Sequence, residues 1–327
     1  MKVLSLFDGM SCGHIALDRA GVKVDTYYAS EIKPHAITVT MDNYPDTIQL
    51  GDVTKIDTSK LPKIDLLIGG SPCQDFSRGN AVRDGLDGVK SGLFFEYLRI
   101  YRELKLVNPK IKYLLENVVM SDADYLLLSE YMKTEPVRIN SSMVSAQLRD
   151  RLYWTDIGPE WFDLFGNRKC VIPQPKDKKI MLQSILESGY TDREKSRALL
   201  ESDSRPLRDN ARMWHRYKDT GFTTVVFESQ DLDHKKGLRY FTQTELERLQ
   251  TVPEGYTKSI KRNDAASLLG DGWTVDVIAH IFSFLEAVRI GNKPQIAAGL
   301  PHALGNGQQL ALCPARASEL ARNQKIP

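Results

Sequence analysis

Val3-Leu-Ser-Leu-Phe7 is a short apolar run that breaks into Asp8-Gly-Met-Ser-Cys-Gly13, after which Ile15, Ala16, Leu17 and Ala20 recur at helical spacing. The pattern predicts strand, glycine-bearing turn, helix. Residues 24–29 read as a second strand running into Ser30 and Glu31, and 47–50 as a third, followed by Gly51 and Asp52. Residues 64–68 read as a fourth, ending in Gly69-Gly-Ser-Pro-Cys73, and 112–115 as a fifth, ending in Glu116-Asn-Val118. Between the last two, residues 93–107 have helical period, with Phe94, Phe95, Leu98, Tyr101 and Leu104 apolar. A helix over 125–132, a strand over 137–144 and a strand over 151–155 behind the polar turn Gln147-Leu-Arg-Asp-Arg151 complete this part. Strands alternating with helices predict a doubly wound α/β sheet with helices on both faces, and the polar residues at the strands' carboxyl ends then share one edge.

From about residue 158 the pattern changes. Pro159, Pro173 and Pro175 punctuate a basic stretch, a short helix is expected around 181–186 and a strand at 223–227, and periodicity is otherwise poor. Regular structure returns with Thr242-Gln-Thr-Glu245, a capping pattern ahead of Leu246, Leu249 and Val252. Helices over 264–269 and 275–290 then flank Gly270-Asp-Gly-Trp-Thr274. We therefore expect a domain over 1–157, a smaller irregular one over 158–238, a segment over 239–290 that returns to the first, and a flexible or loosely docked tail over 291–327, rich in Ala, Gly and Pro.

Composition narrows the partners only slightly. The formal charge of +2 does not by itself argue for nucleic acid, but residues 166–218 hold thirteen Lys/Arg against seven Asp/Glu, so positive potential is concentrated there. Four scattered cysteines (Cys12, Cys73, Cys170, Cys313) have no paired spacing, which favours free thiols in a reducing compartment. The first residues reach Asp8 too soon for a secretory signal, and nowhere do eighteen apolar residues run together, so no membrane is expected and the protein is expected to be soluble and cytoplasmic. Six histidines show no ligand spacing, and no metal is assigned.

Candidate chemistry sits on the polar edge. A glycine turn before a helix, with an acidic residue ending the next strand, suits either a nucleotide-type cofactor or a tight structural turn. Cys73, after an apolar strand and before a polar stretch with four glycines, is either a buried small hydrophobe or a nucleophile facing a mobile loop.

Four segments in order tip the balance: Phe7-Asp-Gly-Met-Ser-Cys-Gly13, Gly70-Ser-Pro-Cys-Gln-Asp-Phe-Ser77, Glu116-Asn-Val118 and Gln147-Leu-Arg-Asp-Arg151. Together they resemble the DNA cytosine-5 methyltransferases of prokaryotic or phage type. Gly92-Leu-Phe-Phe-Glu96, Leu268-Leu-Gly-Asp-Gly-Trp-Thr-Val275 and Val277-Ile-Ala-His-Ile-Phe282 add a likeness to the animal de novo methyltransferases. The resemblance covers about 1–157 and 240–285 and departs at Asp8, where most members have a small residue, and at Asp271.

The resemblance implies a Rossmann-like S-adenosylmethionine-dependent methyltransferase sheet plus a target recognition domain at 158–238. It implies Cys73 as the nucleophile, Glu116 as the acid at the base's N3 and exocyclic amine, Arg151 and secondarily Arg149 in the base pocket, and Asn117 as a fixer of the backbone near the thiol. It implies S-adenosylmethionine, leaving as S-adenosylhomocysteine, held by Phe7, Asp8, Gly9, Met10, Ser11, Gly13, Glu31, Ile32, Asp52, Val53, Ser71, Pro72, Trp273 and Thr274. Double-stranded DNA is the implied partner, at Gln74, Ser77, Arg78, Asn80, Arg83, Gln147, Arg208, Arg212 and Arg216, with base flipping and a lid over 74–91. A cognate restriction endonuclease is a further expected partner for a restriction-linked enzyme in a bacterial or phage-infected cell. Two alternatives stand beside this: a tRNA cytosine-5 methyltransferase on the same scaffold, and a catalytically silent DNA-binding homologue. Oligomeric state and recognition sequence stay open.

Overall fold

The structure is a computed structural model that describes residues 1–72, 92–162, 168–200, 207, 209–220 and 224–289. In chain order its elements are β1 (Lys2–Leu6), α1 (Cys12–Arg19), β2 (Thr26–Ser30), α2 (Pro34–Asn43), β3 (Ile48–Gln49), β4 (Leu66–Gly70), α3 (Gly92–Val107), β5 (Lys112–Val118) and α4 (Asp122–Met132). Next come β6 (Thr134–Glu135), β7 (Val137–Asn140), β8 (Gln147–Leu148), β9 (Asp150–Thr155), β10 (Glu160–Phe162), β11 (Arg168–Cys170) and β12 (Ser196–Arg197). The chain continues through α5 (Asn210–His215), β13 (Val226–Phe227), β14 (Leu238–Arg239), α6 (Gln243–Leu249), α7 (Arg262–Asp271) and α8 (Val275–Arg289).

A seven-stranded sheet in the order β3-β2-β1-β4-β5-β9-β7 carries the molecule, parallel from β3 to β5 and antiparallel through β9 and β7. The expected doubly wound sheet is therefore present. Its strands read as continuous apolar runs because both faces are covered. Neighbouring side chains alternate between two cores: Val3, Ile68 and Leu114 pack on the side of α1 and α8, and Leu4, Leu67 and Leu115 on the side of α3. The chain leaves β1 toward β2 on one side, while β4 lies on the other. The crevice outside the carboxyl ends of β1 and β4 is thus a switch point, where ligands bind in sheets of this kind.

Outside the sheet the elements are short. The strand expected at 137–144 ends at Asn140, whose side chain caps a 3-10 turn over Ser141–Met143; the helix expected near 181–186 is a 3-10 turn over Leu182–Ile185. Of the strand expected at 223–227, only Val226–Phe227 forms, paired with β14. The cap pattern at Thr242 is a full capping box with Glu245, starting α6. Met1–Lys293 forms one compact unit, into which β11 and β12 are stitched by parallel pairing with β6 and β8. A second unit, Pro294–Pro327, and with it the tail expected over 291–327, lies outside the described residues. No single described helix is long and apolar enough to cross a membrane.

Candidate active site

Glu116 lies in β5 opposite Tyr153, and Arg151 lies two residues along β9 opposite Val118, so the guanidinium reaches back to the carboxyl. Arg151 Nε is 2.9 Å from Glu116 Oε1, with the two side chains only 17 and 11% exposed. The indole N–H of Trp273 donates to the other oxygen, Oε2, at 3.2 Å. Gly70, the register partner of Glu116, makes room for this group. A Cβ there would sit 2.8 Å from Oε2 and 3.0 Å from Trp273 Nε1. A Cβ at Gly69 would sit 2.9 Å from the Leu6 carbonyl oxygen, so both glycines before the Ser-Pro-Cys stretch are demanded by close approach. Asn117 donates to Ser71 Oγ at 3.2 Å while its own oxygen accepts from Val118 N at 2.8 Å, which ties β4's exit to β5. The Ser71 hydroxyl is thereby engaged inside the protein, and Pro72 follows it. Cys73 itself lies outside the described residues, as do Gln74, Ser77, Arg78, Asn80, Arg83 and the lid expected over 74–91.

Arg149 does not share the task of Arg151. Residue 149 sits at the break between β8 and β9, so strand alternation does not carry its side chain to the face of Arg151. It is buried, and its Nη2 donates to the carbonyls of Gly270 and Gly272, each at 3.0 Å. Its Nη2 thereby holds the loop that carries Trp273. Gln147 is likewise corrected as a DNA contact: it is 0% exposed, donating to Leu249 O and Gln250 Oε1 and accepting from Leu199 N at 2.7 Å. Gln250, which sequence reasoning missed, donates to Leu269 O at 2.6 Å and accepts from Thr274 Oγ1 at 2.8 Å. The Thr274 hydroxyl is therefore committed to this buried network and does not face a cofactor. The only local signal for Gln250 was a polar residue closing the apolar face of α6.

At the other end of the edge, Phe7, Gly9 and Ser11 all take left-handed backbone conformations, at φ 56, 60 and 60°. This alternation turns the chain sharply enough to present Gly9 outward, where a Cβ would meet nothing within 4 Å. Gly9 N–H donates to Glu31 Oε2 at 2.8 Å, and Glu31 Oε1 accepts from the N–H groups of Ile32 and Lys33. Ile32, 70% exposed, offers an apolar side chain beside that carboxylate, and Phe7 packs half-buried against the core behind it. Asp52 Oδ1 accepts from Thr54 N and Oγ1, capping a 3-10 turn; these hydrogen bonds hold its carboxyl below the usual range.

Several expected cofactor residues have side chains turned inward. Asp8 is buried, accepting from Tyr27 Oη at 2.8 Å and from Ser11 Oγ, and burial pushes its carboxyl up to about 6. Its charge is thus directed into the core and is not placed against a cationic ligand. Met10 and Val53 pack in the core, and Ser11 is fully buried between Asp8 and Thr40. Gly13 serves packing: a Cβ there would come 2.4 Å from Ile68 Cδ1, so the glycine lets α1 lie close on β4.

In residues 158–238 the order comes from aromatic and cationic groups. Met213, Tyr217, Val225, Phe227, Leu238 and Tyr240 form a small core. Arg193 lies over the Tyr217 ring at 4.5 Å, Trp214 stacks on His234 at 4.4 Å, and Lys218 lies over Trp214 at 5.3 Å. Of the arginines expected at DNA, Arg212 is 78% exposed with Asp209 at 4.0 Å, Arg216 is half-buried, and Arg208 lies outside the described residues. No group of three His, Cys, Asp or Glu arranged for a metal occurs among the described residues.

The sheet order, the turn after β1 and the carboxylate after β2 define a Rossmann-like α/β protein with a carboxyl–guanidinium pair at its switch-point edge. Residues 1–124 match the family described as C-5 cytosine-specific DNA methylase. Among relatives, it is 40% identical over 122 residues to the type II methyltransferase M.NgoBV of Neisseria gonorrhoeae, spanning 36% of this chain and 28% of that protein. It is 26% identical over 309 residues to the type II methyltransferase M1.ScrFI of Lactococcus lactis subsp. cremoris, spanning 85% of this chain and 76% of that one. The chain thus matches little more than a quarter of the first relative's length. The fold is also that of the Entamoeba histolytica methyltransferase EhMeth, with a TM-score of 0.66 at 14% identity, covering 88% of this chain and 98% of that one.

Proposed function

We propose that the protein transfers a methyl group to C5 of a flipped-out cytosine in a specific duplex DNA sequence. The observation that carries this reading is the Glu116 carboxyl, held by Arg151 at 2.9 Å and seated on Gly70, with Ser71 and Pro72 leaving the adjacent strand and Cys73 next in the sequence. Cytosine C5 is a poor nucleophile. The Cys73 thiolate adds to C6, and the displaced electron pair moves toward C5 as Glu116 shares a proton with N3 to neutralise charge on the ring. Arg151 orients that carboxyl and offers donors to the base's carbonyl oxygen. With the methyl group on C5, the C5 proton passes to solvent water, its electron pair restores the C5–C6 double bond, and the C6–S bond breaks to regenerate the thiolate. Because C5 and C6 are stacked within a duplex, the base must leave the helix first.

The residues of the edge fit S-adenosylmethionine. Gly9 leaves open space over the turn, Glu31 ends β2 as an acceptor for ribose hydroxyls, and Ile32 with Phe7 offers apolar surface for an adenine. When bound there, it supplies an electrophilic methyl group on a sulfonium and leaves as S-adenosylhomocysteine. Asp52, near the end of β3, is the acceptor suited to an exocyclic amine. Residues 158–238 form the target recognition domain in this reading, with Arg212 and Arg216 toward duplex DNA, while 1–157 and 239–290 form the catalytic domain. The enzyme would act in a bacterial or phage-infected cytoplasm, alone or opposite a cognate restriction endonuclease.

Incubation with labelled cofactor and either duplex DNA or tRNA tests the proposal. Label in DNA, abolished by Cys73→Ala, is expected. Label in tRNA alone would overturn it in favour of an RNA substrate, and label in neither would leave a binding homologue.

A further inference from the structure

We propose that Trp273 is a positioning residue that orients Glu116 for the base, rather than a wall of the methyl-donor pocket. The inference rests on the methyl-transfer reading above, in which Glu116 meets the cytosine.

The indole is set up for this contact from several directions. Its N–H reaches Glu116 Oε2 across 157 positions of sequence. The peptides before it are held by Arg149 on the carbonyls of Gly270 and Gly272 and by Gln250 on Leu269 O, and the residue after it by Thr274 Oγ1 on Gln250. Two glycines clear its path: a Cβ on Gly70 would lie 3.0 Å from Nε1, and one on Gly13 3.4 Å from the far edge of the ring. A carboxylate offers about two acceptor directions on each oxygen. With Arg151 on Oε1 and Trp273 on Oε2, each oxygen is pinned once and keeps one direction for a ligand, so the carboxyl plane is fixed before the base arrives. An aromatic side chain supplying only apolar surface would not need the N–H.

Trp273→Phe keeps a ring and removes the donor. We expect methyl transfer to duplex DNA, measured as kcat, to fall about 10- to 100-fold, the usual weight of a hydrogen bond to a charged group. The affinity for S-adenosylhomocysteine, measured by titration calorimetry, should change less than about threefold. Gly70→Ala, which wedges a methyl between the two partners, should lower kcat similarly, and the double variant should be no slower than the slower single one. Loss of S-adenosylhomocysteine affinity in parallel with kcat, or an unchanged kcat, would overturn the proposal. The indole N–H resonance of Trp273, assigned by its absence in Trp273→Phe, must also move in Glu116→Ala. An unmoved resonance sinks the contact itself, whatever polymer the enzyme methylates, whereas an inactive wild type with a responsive resonance would count against the activity alone.

Discussion

Arg151 Nε lies 2.9 Å from Glu116 Oε1 across antiparallel neighbours β9 and β5, both side chains largely shielded from water. Removing one partner of such a pair strands the other charge in a low-dielectric site. Arg151→Ala should cost about 3–5 kcal/mol of stability and lower methyl transfer by roughly 10²–10³-fold. Arg151→Lys should recover most of the stability and little of the activity, because an ammonium cannot reproduce the guanidinium's planar fork. Chemical denaturation and steady-state transfer on the same preparations separate the two effects.

Asp8 gives a pH signature. Burial raises its carboxyl from 3.8 to about 6 in the folded protein, so between those values the native state binds more protons than the unfolded chain. The group's contribution is most favourable below pH 4, and stability falls as pH rises toward 6 and stays lowered above it. Asp8→Asn can still accept from Tyr27 and carries no charge. It should raise stability at pH 7.5 by about 1–3 kcal/mol and flatten the slope of stability between pH 4 and 6. A wild-type slope that survives unchanged in the variant would place the titration elsewhere.

The sheet was legible for a plain physical reason. β1, β4 and β5 are buried on both faces, so their sequences are nearly continuous apolar runs, broken in β1 only by the buried Ser5, and the polar residues that end them mark the edge. Glu31, Asp52 and Glu116 could be placed along that edge from spacing alone. The directions of individual side chains could not. Arg149 is expected beside Arg151 and Gln147 at DNA, but among the groups they bond are Gly270, Gly272, Leu199, Leu249 and Gln250, supplied from 50 or more positions away. Asp8, Met10 and Ser11 turn inward because left-handed conformations at residues 7, 9 and 11 redirect the loop, which a window of periodicity does not see. Residues 158–238 gave little away because two- and three-residue strands and cation–aromatic stacks, not amphipathic elements, hold them together.

Gly13 illustrates how a residue expected at a cofactor can act through packing. Its absent Cβ would fall 2.4 Å from Ile68 Cδ1 and 3.1 Å from Tyr27 Oη, so Gly13→Ala forces the Ile68 side chain or α1 to shift. The expected loss is about 1–3 kcal/mol of stability, as for overpacking of a core. Adding Ile68→Val, which removes the clashing methyl, should return part of it. If Gly13 instead served ligand approach alone, Gly13→Ala would weaken S-adenosylhomocysteine binding at unchanged stability, and Ile68→Val would restore nothing.

Gln250 tests whether the distant loop matters to the chemistry. Its amide joins Gln147, Leu269 and Thr274 in one buried network, and the same loop is held by Arg149. Gln250→Leu fits the volume but leaves the Thr274 hydroxyl and the Gln147 amide each short of a partner, at a cost of about 2–4 kcal/mol. The loop bearing Trp273 should loosen with it, lowering kcat more than it raises the KM for DNA. Thr274→Val in the Gln250→Leu background removes one stranded hydroxyl and should regain about 1 kcal/mol. A Gln250→Leu variant that is destabilised but turns over at the wild-type rate would show that the network holds the fold without setting the position of Glu116.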